Sequence, residues 1–568
     1  MGQAHHAATG GQLLVKALTI QGVEHVFCVP GESYLAAIDA LHDSKIEVTV
    51  CRQEGGAAMM AEAVGKSTGR PGICFVTRGP GASNAAAGVH IAAQDSTPMI
   101  LFIGQVERGM REREAFQEID YKSFFGGVAK WVAEIDSVSR IPEFVSRAFH
   151  VATSGRPGPV VLSLPEDVLF EVGEASFAEP WNQIETHPGV EQLQQLRALL
   201  DVAKRPVAVV GGSRWTREAC QAFAAFAERE RIPVAVSFRR QSLFDSEHHC
   251  FAGEVGAGVN PKLKALVQES DLLLLIGGRL SELPSASYTM VGIPEPAQPL
   301  VHVYPGAEEL GRVYRPTLGI NASPNCFALA LADLARGRAR DSEWLDCARS
   351  SYLEWTEQPS VNPGAVQIGA LIKWVRQNVS DDAILTVGAG NYAGWVQRFF
   401  RFRQFGTFVA PTSGSMGYGV PAAVAMQRLH PSRTVVAFAG DGCFLMHGQE
   451  FSTAVQYGLP VIVIVINNGM YGTIRMHQER EYPRRVIATD LVNPNFADYA
   501  RAFGGHGEVV EATEQFAAAF GRAQASGKPS IIEVRIDPQA ISTTSTLNDI
   551  RTSALRRKEM EAPSATTN

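Results

Sequence analysis

The chain has 568 residues, 45% hydrophobic and 19% charged, with 51 basic against 58 acidic side chains and a net charge of −7. That length exceeds what one core supports and predicts about three domains. The mildly acidic balance gives no reason to expect nucleic acid or anionic membrane as a partner, and apolar runs such as 272–276 and 461–466 fall far short of the roughly 20 residues of a bilayer span. Residues 1–10 lack the basic and apolar regions of a secretory signal, so a cytoplasmic protein is expected. The eight cysteines include no Cys-x-x-Cys pair and read as small buried thiols.

Strands and helices alternate from the start. Val26-Phe27-Cys28-Val29 is a strand ending at Pro30-Gly31-Glu32, residues 34–41 are helical, and 72–77 and 99–104 are further strands. Arg78-Gly79-Pro80-Gly81 opens a helix of small residues, and 160–164 supplies a last strand before a polar, proline-bearing linker at about 170–190. A second α/β unit starts at Pro206-Val207-Ala208-Val209-Val210-Gly211-Gly212, contains the strand 271–276 and closes near 340. After a linker at 356–363 the third unit carries strand 383–387 and ends with 530–536. The expected fold is α/β with three doubly wound domains, at 1–180, 190–340 and 360–550, and a disordered polar tail at 556–568.

Thr434-Val435-Val436-Ala437-Phe438-Ala439 reads as a buried parallel strand that runs into Gly440-Asp441-Gly442. Gly440 and Gly442 let the backbone turn sharply and approach a phosphate closely; Cys443, next in the run, is grouped with them as a cofactor contact. A second buried strand, 461–466, delivers Asn467-Asn468 to the same carboxyl edge, where open α/β sheets bind ligands. The Asp441 carboxylate, the Asn468 amide and a backbone carbonyl just beyond form the oxygen-only set that a hard cation such as magnesium prefers.

This segment resembles the thiamine diphosphate motif of the family that contains acetolactate synthase, pyruvate decarboxylase, benzoylformate decarboxylase and pyruvate oxidase. The resemblance implies that Asp441, Asn468 and the Met470 carbonyl hold Mg2+. It also implies a pyrimidine-binding first domain, a Rossmann-like middle domain and a diphosphate-binding third domain. Arg52-Gln53-Glu54-Gly55-Gly56-Ala57-Ala58 is similar to the family's Arg-His-Glu-x-x-Ala-Ala pattern, which gives Glu54 the task of exchanging a proton with the cofactor's pyrimidine ring; Gln53 departs from the usual histidine. Thr412-Ser413-Gly414-Ser415-Met416-Gly417 resembles the loop in which the Gly414 carbonyl holds the cofactor's amino group and Met416 wedges beneath its bend. Gly388-Ala389-Gly390-Asn391 resembles the second diphosphate loop, through Gly390 and Asn391, although acetolactate synthases carry Gln-His-Gln there. Family sites lie between subunits, so a homodimer or homotetramer is expected.

Ala115-Phe116-Gln117-Glu118-Ile119-Asp120 resembles the Ala-Phe-Gln-Glu-x-Asp segment of acetolactate synthases, which implies that Gln117 faces the substrate. His477 stands where those enzymes place an acceptor-selecting tryptophan, and Asn468-Gly469-Met470-Tyr471-Gly472 looks more like benzoylformate decarboxylase. Glu32 falls where family decarboxylases place a polar active-site residue and is a candidate proton relay. Phe238-Arg239-Arg240-Gln241 and Gly253-Glu254-Val255-Gly256 replace the segments of flavin-binding relatives, which argues against FAD. Arg239 and Arg240 read as exposed arginines, with anion binding the alternative. The implied reaction is decarboxylation of a 2-oxo acid followed by transfer of the acyl unit to a second carbonyl. A simple decarboxylase that releases an aldehyde is the alternative.

Overall fold

Apolar runs that end at glycine or proline turns become parallel strands covered on both faces, as expected of sheets whose crossovers are helical. The computed structural model describes residues 6–337, 339–360 and 362–561. Two compact units result, Met1–Tyr352 with Arg403–Ser413, and Leu353–Phe402 with Gly414–Asn568.

The first unit holds two six-stranded sheets. In space the first runs Glu47–Val50, His25–Cys28, Gly72–Val76, Met99–Gln105, Pro159–Pro165, Trp131–Glu134, all parallel. Its core gathers Leu14, Val26, Phe75, Phe102, Val145 and Leu162, each at most 1% exposed. The middle sheet runs Phe251–Val255, Val234–Ser237, Pro206–Val210, Leu272–Ile276, Leu300–Tyr304, Leu318–Asn321. Numbered along the chain that is 3-2-1-4-5-6, the doubly wound dinucleotide-binding order, which reverses between Pro206–Val210 and Leu272–Ile276.

The second unit's own strands run Ile384–Val387, Val435–Gly440, Ile462–Asn467, Ser530–Arg535, His506–Val510. Its last two strands in chain order are exchanged in space, as are the last two of the first sheet, so the two sheets share one winding scheme. Register does the work for the site. Gly440 lies beside Ile466 and Val387 beside Phe438, so the loops after three neighbouring strands leave the sheet at one carboxyl edge.

Three expectations change. The stretch expected as a linker carries a strand, Val172–Ala175, paired antiparallel with His6–Thr9. Trp181 then packs edge-on against His150 at 4.2 Å. Four residues are too few to show an alternation above the polar background, which hides this strap in the sequence. Helix Glu343–Glu357 runs into the start of the linker expected at 356–363. The tail expected to be disordered from 556 is helical, within Leu547–Glu561, as far as residue 561; residues 562–568 lie outside those described. That helix is held by charge more than by apolar area. Arg551 donates Nε and Nη2 to the buried Glu479 carboxylate at 2.8 and 2.5 Å, and Arg557 donates to the Arg480 carbonyl at 3.0 Å. No helix among the described residues is long and apolar enough to cross a membrane.

Candidate active site

At the carboxyl edge of the second unit's sheet lies a cavity of about 240 Å³. Asp441, the first residue of the short helix Asp441–His447, is 3% exposed. Its Oδ1 accepts from the Gly442 N–H at 2.9 Å, and its Oδ2 accepts from the Gly469 N–H at 2.9 Å and from Asn493 Nδ2 at 2.7 Å. Burial pushes its carboxyl above the ordinary range, and these hydrogen bonds pull the other way. Asn468 turns its Oδ1 to the Met470 N–H at 3.3 Å, and both residues line the cavity. Tyr471 N–H to Thr489 O and Leu491 N–H to Gly469 O, each 2.8 Å, brace this turn from behind.

The opposite wall is the loop after Ile384–Val387. Gly390 has φ +148°, a conformation that suits glycine, and a Cβ there would meet Tyr392 at 2.8 Å. Asn391 spends its side chain on the wall itself, accepting from Thr473 Oγ1 at 2.9 Å and donating to the Ile541 carbonyl at 2.8 Å. It therefore braces two flanking segments and offers the cavity its backbone. Cys443 Sγ accepts from the Gly417 N–H at 3.2 Å and lies 3.5 Å from the Tyr392 hydroxyl, tying loops together beneath the cavity. Gly414 and Met416 line it as well, whereas His477 is exposed on helix Gly472–Glu481 and is absent from the lining; Ile474 of the same helix is present.

The remaining candidates belong to the first unit. Glu54 is the first residue of helix Glu54–Thr68, and its Oε2 accepts from Asn84 Nδ2 at 2.9 Å. Gln53 is the cap of that helix, accepting from the Gly56 N–H at 3.1 Å, a structural task for the residue that departs from the motif. Arg78 contacts Glu32, whose side chain is 62% exposed, and the carbonyl of Phe116, the neighbour of the half-buried Gln117. In the middle sheet, a cavity of about 300 Å³ opens where the strand order reverses, lined by Gly212, Gly278, Arg279 and Tyr304. Arg239, expected on the surface, is buried and donates to the Pro411 carbonyl at 2.7 Å; Arg240 donates to the Asp95 carbonyl at 3.2 Å.

Sequence reasoning missed Asn493, which donates to both Asp441 and Asn467, and Tyr392, Thr473 and Ile541. An asparagine 52 positions beyond its partner leaves no signal in spacing; only the fold brings the two together.

The residues present fit a metal-bound diphosphate. The donor set is oxygen only, and the glycine walls leave no room for side chains: a Cβ on Gly442 would come 2.6 Å from Tyr471 and one on Gly440 3.1 Å from Tyr392. The chain matches three family models: the N-terminal TPP binding domain of thiamine pyrophosphate enzymes over residues 8–124, their central domain over 193–331, and their C-terminal TPP binding domain over 388–534. It is 30% identical to the acetolactate synthase isozyme 2 large subunit of Escherichia coli over 93% of this chain and 95% of the relative. It is also 30% identical to the acetolactate synthase large subunit of Lactococcus lactis, over 87% of each, and 29% identical to the acetolactate synthase of Bacillus subtilis, over 93% of each. With all three domain models matched in order and relatives aligned over nearly their full length, the chain belongs to the acetolactate synthase-like family of thiamine pyrophosphate enzymes.

Proposed function

We propose that this enzyme, with thiamine diphosphate and Mg2+, decarboxylates a 2-oxo acid and passes the remaining acyl unit to a second carbonyl. The observation that carries the reading is the convergence of Asp441, Asn468, Met470 and the glycine loops on one cavity, in a chain whose full-length relatives are acetolactate synthases. When bound, the cofactor supplies a carbon nucleophile and takes up the charge left as carbon dioxide departs.

The chain's residues do the rest. Asp441, Asn468 and the Met470 carbonyl hold the metal. Gly440, Gly442, Cys443, Gly390 and Asn391 form the phosphate cradle. Gly414 and Met416 set the bend of the cofactor. Glu54 exchanges a proton at the pyrimidine ring, its carboxyl oriented by Asn84. Glu32 relays protons on the substrate side, and Gln117 orients the second carbonyl. Ile474, which borders the cavity, takes a larger share in acceptor choice than His477, which does not, although both are exposed on helix Gly472–Glu481. Sites shared between copies of the chain in a cytoplasmic homodimer or homotetramer, without FAD, complete the reading.

The test is product analysis by mass spectrometry over a panel of 2-oxo acids, with and without added carbonyl acceptors. Ligated 2-hydroxyketone or 2-hydroxyacid products that require both thiamine diphosphate and Mg2+ support the proposal. Free aldehyde as the sole product selects the decarboxylase alternative, and no cofactor-dependent consumption overturns both. A flavin absorbance spectrum at one FAD per chain after gel filtration would overturn the FAD statement.

A further inference from the structure

Arg78 follows the strand Gly72–Val76 and stands immediately before helix Gly79–Asp95. It is 8% exposed. Its Nη1 donates to the Phe116 carbonyl at 3.3 Å; its Nη2 donates to Glu32 Oε1 at 3.3 Å and lies 3.7 Å from Glu166 Oε2. The next residue continues the same docking. Gly79 donates its N–H to the Gln117 carbonyl at 2.9 Å, and a Cβ on Gly79 would come within 2.9 Å of that oxygen. Two successive residues thus grip two successive carbonyls of the 111–119 loop.

That grip matters because Gln117 has φ +64°, a left-handed backbone that a residue with a side chain adopts at a cost and keeps only when its surroundings hold it. On the loop's other flank Glu118 accepts from the N–H groups of Glu112 and Ala115 at 2.9 and 3.2 Å and pairs with Arg111 at 3.1 Å. We propose that Arg78 is a positioning residue that sets Glu32 and the Gln117 loop with a single cation. The inference rests on the reading above, which gives those two side chains work in the reaction. A guanidinium suits the task because its planar fork sends divergent donors to a carbonyl and a carboxylate at once, which an ammonium on a flexible stem does not reproduce. Without it, Glu32 and Glu166 face each other with no counter-charge, Glu32 turns to solvent, and the Phe116 carbonyl loses its donor.

Full-length Arg78→Met and Arg78→Lys proteins test this in two ways. In the cofactor-free protein, hydrogen exchange of peptides spanning 111–119 and 29–36 should accelerate about tenfold in Arg78→Met while the peptide spanning 54–68 is unchanged. In the enzyme loaded with thiamine diphosphate and Mg2+, the KM for the acceptor carbonyl should rise about tenfold while donor consumption changes less than about threefold, because the loss falls on orientation of the second substrate. Arg78→Lys, the variant that preserves the charge if Arg78→Met does not fold, should keep the donor rate but not restore the acceptor KM. Unchanged loop exchange, an unchanged acceptor KM, or a lysine variant identical to wild type each overturns the inference. Wild-type protein that consumes no 2-oxo acid removes the proposed function itself, and the exchange experiment still decides whether Arg78 holds the loop.

Discussion

Asp441→Ala removes a group that accepts three hydrogen bonds and to which the proposed function gives a second duty, holding the metal. In the folded chain without cofactor, the Asp441 carboxylate is the acceptor for two backbone N–H groups and one side-chain amide, at 2.9, 2.9 and 2.7 Å. Hydrogen bonds to a charged acceptor contribute roughly 1.5–3 kcal/mol each, and orphaned donors beside a new void add to the loss. Against this stands relief of the burial that raises the Asp441 pKa, so a net loss of about 3 kcal/mol is expected rather than the full sum. For a unit of this size that is on the order of 10 °C in Tm. The second duty appears on ligand addition. Saturating thiamine diphosphate with Mg2+ should raise the wild-type melting temperature, since a ligand at about 100 times its Kd stabilises by about 2.7 kcal/mol, and should leave Asp441→Ala unmoved. Differential scanning fluorimetry with and without cofactor, backed by calorimetric titration, reads both. A variant with wild-type stability in the apo state, or one that still shows the full cofactor shift after dialysis against chelator, refutes the reasoning.

Glu54→Gln keeps the shape of the side chain but cannot exchange a proton, so turnover should fall by about 10²-fold or more; exchange of the cofactor's ring proton at the wild-type rate, followed by NMR, would count against it. Ile474→Ala should alter the ratio of ligated product to aldehyde by about threefold or more and His477→Ala by less than about twofold, since only Ile474 borders the cavity and one removed apolar contact is worth about 1–3 kcal/mol; the reverse ranking in product analysis restores the sequence-based role of His477. Burial lowers the His447 imidazole from 6.5 to about 4. The unfolded chain therefore takes up this proton first as pH falls, and the stability it contributes is complete above about 6.5 and lost progressively toward about 4, an effect of roughly 2–3 kcal/mol. Urea unfolding of wild type and His447→Gln at pH 7.5 and 4.5 should show the smaller pH dependence in the variant, and equal slopes would exclude the assignment.

The sequence by itself determined the elements that depend on local chemistry. Long apolar runs bounded by glycine form buried strands, and Gly440-Asp441-Gly442 and Asn467-Asn468 stand at strand ends as read, because glycine turns and strand ends depend on a few neighbouring residues. The position of Glu54 was legible for the same reason, where a strand gives way to a helix rich in alanine. Tertiary structure alone decided what reaches across the chain. Asn493 meets Asp441, Arg78 binds both Glu32 and the carbonyl of Phe116, and Arg551 anchors a polar helix on Glu479; each pair joins residues 38 to 72 positions apart, and no periodicity encodes such a partnership. In helix Gly472–Glu481 a motif gives a residue's place along the chain, but what it borders is set by packing: Glu479 is buried in its ion pair with Arg551, and of the two exposed residues Ile474 and His477 it is Ile474 that borders the cavity.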